Sequence, residues 1–235
     1  MLSIVATIIF LNPISVNAQS KTIVNQNWED AFSSSNQGKP GATKGGAARA
    51  GNCLAELSNS EVILTPILPV PSQRLTLASH PTLLAYLPST SADRVYLRIK
   101  NHNEEYNYTT VLPITGQGGI IRVTLPPDAP ALKTGENYQW FLALMCQGVL
   151  KPDSPTVEGS LTRVSTKITS SEQIKAMSQL EQAQMYAEAG IWYETISILA
   201  QLRKEKSEDS NLFSIWEKVL SSVGLESLVQ VELVD

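Results

Sequence analysis

Leu132-Lys133-Thr134-Gly135-Glu136-Asn137-Tyr138-Gln139-Trp140 turns on a glycine and leaves as a strand, with Tyr138 and Trp140 on one side and Gln139 on the other. A chain passing between two sheets cannot leave buried peptide groups unpaired, and a tyrosine just after such a turn can bond back to the upstream backbone. Gly135 and Tyr138 are therefore expected to be structural. Outward from this point, short apolar or alternating runs recur at 62–68, 74–78, 82–87, 94–100, 106–114, 119–125, 138–146 and 156–164, each bounded by Pro, Gly, Asn, Asp or Ser. Within one of them Val95, Leu97 and Ile99 alternate with Tyr96, Arg98 and Lys100, the period of a strand with one buried and one wetter face. Short strands at this spacing predict an antiparallel β-sandwich over 53–166.

The 132–140 stretch resembles the tyrosine corner of immunoglobulin-like and fibronectin-like sandwiches. The cysteines depart from the antibody arrangement, because Trp140 lies just before Cys146 and Cys53 precedes the first clear strand. Two cysteines in an exported chain favour one bridge, Cys53 to Cys146, which would pin a late strand to the segment before the sandwich. Closing a loop of that length contributes about 4 to 5 kcal/mol in the chain-entropy account. Two buried thiols are the alternative.

Export is read from residues 1–18, an uncharged apolar stretch closing on Val16-Asn17-Ala18, the small-residue pattern of a signal-peptide cleavage site. No Lys or Arg precedes the apolar run 2–11, which leaves open a start upstream of Met1 or a buried element in place of a leader. The run is too short to span a bilayer, and no later stretch reaches the roughly twenty apolar residues that a membrane helix needs. A net charge of −4 gives no basic excess to draw the chain onto nucleic acid. The location implied is periplasmic, extracellular or envelope-bound.

Residues 19–52 read as a disordered tether. From Ser33 to Asn52 the chain has almost no large apolar side chain to offset the entropy of ordering. Lys39, Lys44 and Arg49 could hold weakly to an anionic surface, and Pro40 after Lys39 rules out a phosphate loop. After Lys167 the period changes to that of helices. Thr169 and Glu172 offer a capping box before the stripe Ile174, Met177, Leu180, Ala183 and Ala187, which Gly190 ends. Further stripes carry Trp192, Ile196, Leu199 and Leu202, then Leu212, Ile215, Trp216, Val219 and Val223. These predict a three-helix tail over 167–224, followed by a C-terminal extension at 225–235. The turn Tyr186-Ala-Glu-Ala-Gly190-Ile-Trp-Tyr193 resembles a tetratricopeptide hairpin, with Thr195 where that repeat favours Ala. One repeat alone cannot bury its faces. Trp192, Tyr193 and Trp216 are accordingly candidates for a partner-binding surface, the alternative being core.

The order of several segments, His80-Pro-Thr-Leu-Leu-Ala-Tyr-Leu-Pro88, Gly119-Ile-Ile-Arg-Val-Thr-Leu-Pro126, Gly135 through Cys146, Glu158-Gly-Ser-Leu-Thr-Arg163 and the Tyr186–Ile196 turn, resembles the cyanobacterial domain of unknown function 928 from about Arg49 to Leu228. That resemblance implies a cyanobacterial envelope or periplasmic setting, and brings no activity, cofactor or catalytic residue.

The chemistry-bearing residues are sparse. His80 and His102 are the chain's two histidines, in no metal-ligand spacing. No G-x-S-x-G elbow occurs, so serine catalysis would need a triad assembled from distant residues. Glu104, Glu105, Asp128, Glu136, Asp153 and Glu158 leave a glycosidase-type pair formally open, as in any chain of this size. No catalytic residue, cofactor or metal site is expected. The leading expectation is a non-enzymatic envelope protein acting as an interaction or adaptor module through its helical tail. Alternatives are a polysaccharide-binding module stacking sugars on Tyr86, Tyr96, Tyr106 or Tyr108, and an exported hydrolase.

Overall fold

The computed structural model describes residues 28, 30–32, 64–165 and 171–234. The expectations for residues 1–18, for 33–52, for Cys53 and for the capping position Thr169 lie outside these residues.

The fold is α+β, and strands lie at all eight places where apolar runs occur: β1 Thr65–Pro66, β2 Leu75–Thr76, β3 Thr82–Leu87, β4 Arg94–Asn101, β5 Asn107–Pro113, β6 Gly119–Thr124, β7 Asn137–Leu144 and β8 Thr156–Arg163. The C-terminal extension adds β9, Leu233–Val234. They form two sheets, ordered β1-β3-β6-β9 and β2-β8-β7-β4-β5. In β4 the alternation works as expected: Val95, Leu97 and Ile99 are buried, facing Leu144, Leu142 and Trp140 across β7. Packing is close at Gly159 on β8, opposite Trp140, where a Cβ would overlap the indole and approach Leu68 Cδ1 to 2.6 Å.

Wholly antiparallel pairing is not what the chain adopts. β2 runs parallel to β8 and β9 parallel to β6, so both sheets are mixed. Each of these strands is a two-residue piece at a sheet edge, reached by a long connection rather than a hairpin, and such connections leave direction free.

The helical region differs as well. Four helices follow the sheets, α1 Ser171–Ala176, α2 Gln179–Glu188, α3 Trp192–Glu205 and α4 Ser210–Ser222, where three are expected. The extra break falls at Ser178, whose backbone is extended and whose side chain completes a capping box with Glu181. A stripe running through Ile174, Met177 and Leu180 hid that box, because periodicity alone carries a helix straight across a cap.

The helices do not stand apart from the sheets. Side chains of both sheets, of α2, α3 and α4 and of the 225–235 extension join one continuous apolar cluster, so the expected units 53–166, 167–224 and 225–235 share a core. Trp192, Tyr193 and Trp216 are at most 2 % exposed, which removes them as a partner surface. Trp192 Nε1 donates to the Ile67 carbonyl at 3.1 Å, and Phe32 meets the Trp192 ring edge-on at 4.8 Å between centroids. Trp28 and Phe32, both from the segment read as a tether, are therefore packed into the body.

Candidate functional site

Where β2 leaves its sheet and runs toward β3, a cleft of about 220 Å³ opens between this strand connection and helices α2 and α3. Ala78, His80, Gln182, Tyr186, Glu194 and Ser197 help line it. Glu194 is the third residue of α3, where a carboxylate is favoured by the helix dipole. Its Oε1 accepts from Thr76 Oγ1 at 2.8 Å and from the Leu77 and Ala78 N–H groups, each at 2.9 Å. Its Oε2 is buried without a partner. Burial lifts the carboxyl above its ordinary value of 4.5, against the lowering effect of the Thr76, Ala78 and Leu77 donors. Tyr186 is raised by burial and by the Glu194 charge.

His80 is fully engaged. Its Nε2 lies 2.9 Å from the Ala129 carbonyl and its Nδ1 3.0 Å from Ser79 Oγ. A carbonyl can only accept, so Nε2 carries a proton and donates to Ala129. Neither histidine nitrogen is turned toward the cleft as a free base, and Glu194 Oε2 is closed off from solvent within it. The arrangement is well made for fastening the β2 exit to α3 and poorly made for proton transfer to a bound molecule.

The remaining candidates are dispersed. His102 is exposed beside an open cleft of about 360 Å³ with Asn103, Glu136 and Asn137. Of the acids named above, Glu136 is half-buried and Glu104, Glu105, Asp128, Asp153 and Glu158 are exposed. Among the described residues, no group of three His, Cys, Asp or Glu side chains could hold a metal ion. The four tyrosines form no common row: Tyr106 is buried with its hydroxyl on the Pro130 carbonyl, Tyr86 and Tyr108 pack against the core, and Tyr96 lies on the opposite face of β4. Burial pushes the Tyr106 phenol up to about 12. Gly135 takes a φ of +85°, and the Tyr138 hydroxyl accepts the Lys133 N–H at 2.8 Å and donates to Glu136 at 3.1 Å. Cys146 is buried just beyond β7, and no described cysteine is a free thiol.

The residue that sequence reasoning passed over is Glu194. Its one signal was an acid directly after Trp192 and Tyr193, at the start of a helix that has to bury both.

The sequence matches the family described as Domain of Unknown Function (DUF928) over residues 41–233. The chain belongs to that family. No curated protein matches it. Most of the body described here falls within the DUF928 match, including both sheets, all four helices and β9 up to Leu233. Among the described residues of this DUF928 protein, no helix is long and apolar enough to cross a membrane.

Proposed function

We propose that this DUF928 chain is an exported, non-enzymatic protein of the cell envelope, periplasmic or outside the cell, that acts as a protein-interaction module. The contact belongs to the end of the five-stranded sheet and not to the helices. The observation carrying this reading is the loop between β7 and β8. Gln147 and Gly148 take φ values of +58° and +71° in succession, a conformation unfavourable for glutamine, and deliver Val149 and Leu150 outward at 53 % and 43 % exposure. Hydrogen bonds from Gly148 to Met145, Val149 to Cys146 and Lys151 to Ser154 Oγ hold the loop in one shape. An apolar pair held rigid at the surface loses little entropy on binding. Among the described residues the third exposed large apolar side chain, Val111, also belongs to this sheet, while the helices keep theirs covered. A Cys53–Cys146 bridge would anchor the preceding segment beside this loop. The immunoglobulin-like reading of the two sheets and the tetratricopeptide-like reading of α2 and α3 belong to the same proposal, supported by the Tyr138 hydroxyl bond to Lys133 and by Gly190 at φ +69° between the helices.

Capture from solubilised cyanobacterial envelope tests the proposal, using the chain beside its Val149→Ser, Leu150→Ser double variant. The expected result is a protein held by the first and depleted about tenfold in the second, with the unfolding midpoint unchanged, because both side chains are exposed. Identical retention by both would sink the reading.

A second reading, binding to an envelope polysaccharide, rests on the outer face of the same sheet. There Tyr96 on β4 and Phe141 on β7 lie partly exposed in adjacent rows, beside Arg98 and Glu158. Retention on polysaccharide columns, lost in Tyr96→Ala, would favour it.

A further inference from the structure

Among the described residues, strand β5 is the outermost strand of the five-stranded sheet. Ile114 donates to the Asp93 carbonyl and Asn101 donates to the Tyr106 carbonyl, so the even-numbered residues of this segment aim their backbone groups at β4. The odd-numbered residues Asn107, Thr109 and Val111 aim theirs away from the sheet, and their side chains are exposed. Natural proteins blunt such an edge with lysine, a mid-strand proline, a bulge or a short strand. Asn107-Tyr-Thr-Thr-Val-Leu-Pro113 has none of these. It is seven residues long, uncharged, in unbroken register with β4, and its proline comes last.

We propose that this edge is covered by β5 of a second copy of the chain, antiparallel about a two-fold axis at Thr110. This goes beyond the partner contact at Val149 and Leu150 and does not depend on it. In that register Thr109 faces Val111 of the second copy, and because both point their N–H and C=O outward, each such pair exchanges two hydrogen bonds. Asn107 faces Pro113, giving its N–H a carbonyl while the proline supplies no donor. Tyr108 comes beside Leu112 on the core side. A strand can pair with its own copy only if it sets no like charges opposite each other, and β5 has no charged residue to oppose. On the neighbouring β4, Arg98 donates to Asn107 Oδ1 at 3.0 Å and lies 3.8 Å from Glu104, which also pairs with Lys100 at 2.9 Å, so these side chains are engaged within their own copy. The two five-stranded sheets then continue as one.

Sedimentation equilibrium over a concentration series tests this on the chain and on two variants. Thr109→Pro removes an outward donor without touching the β4 ladder, as proline is tolerated on an edge strand. Val111→Lys adds a charge at an exposed position next to the axis. The expected result is a mass that rises toward twice the monomer in the chain itself, with dissociation constants at least tenfold higher in both variants and native near-ultraviolet dichroism retained. Should Thr109→Pro fail to fold, Val111→Lys decides alone. A chain that stays monomeric throughout, or a dimer whose dissociation constant Val111→Lys leaves unchanged, overturns the proposal.

Discussion

The turn into β7 and the first turn of α3 each bury a tyrosine, and the two hydroxyls serve different scales of structure. Tyr138 accepts from Lys133 and donates to Glu136, both within the same turn. Tyr193 accepts from Trp140 Nε1 at 3.0 Å and donates to the Ser160 carbonyl at 2.8 Å, tying α3 to β7 and β8. Burial raises the proton affinity of both phenols. The first hydroxyl shapes a loop inside the sheet, and the second fastens the helices to it. The comparison teaches that the helices here are structural members of the sheet body.

The largest expected effect comes from Trp192→Ala, which empties a fully buried indole site and removes the bond to Ile67. A loss of about 3 to 5 kcal/mol is expected. Denaturation followed by far-ultraviolet dichroism and by aromatic fluorescence should shift together. Helix signal melting ahead of the sheet would break the comparison.

Next come the tyrosines themselves. Tyr193→Phe leaves the Trp140 N–H and the Ser160 carbonyl without their partner in a dry core, and is expected to cost about 2 to 3 kcal/mol. Tyr138→Phe strands chiefly the Lys133 N–H near the surface, at about 1 kcal/mol. Urea midpoints of the two variants should therefore rank in that order, and the reverse ranking would mean that the local corner carries more than the long-range tie.

The smallest effect is a pH dependence at Glu194. Since burial raises this carboxyl above its unfolded value, the folded state binds the proton more tightly than the unfolded chain does. Its contribution to stability is complete below the ordinary carboxylate value and is lost as pH rises through the raised one. Glu194→Gln keeps an acceptor for Thr76, Leu77 and Ala78 and cannot ionise. The variant should gain on the parent chain in urea midpoint as pH rises above the ordinary carboxylate value, and parallel profiles would refute the burial account.

What could be read in the sequence follows the range of the forces involved. Period-two alternation in 94–100 and turn residues around each run located eight strands, because strand formation there depends on near neighbours. Gly135 and Tyr138 were legible for the same reason. Direction at the edges was not, since β2 and β9 are set by where a long connection lets them land. Nor could the sequence show that Gly119 leaves room for β9, where a Cβ would come within 2.8 Å of the Glu232 carbonyl and of Val234. Trp192 and Tyr193 could be read as core, the commoner case, or as a partner surface, because an apolar stripe does not name what covers it. Glu194 was missed because its partners at Thr76, Leu77 and Ala78 lie more than a hundred residues away.

The measurement closest to the central claim is the folding of the chain ended at Ser165. If the helices complete the core, the truncated chain should lose near-ultraviolet dichroism and cooperative unfolding. A truncated chain that keeps both, with a midpoint near that of the whole, would contradict the account and return the helices to the status of a separate tail.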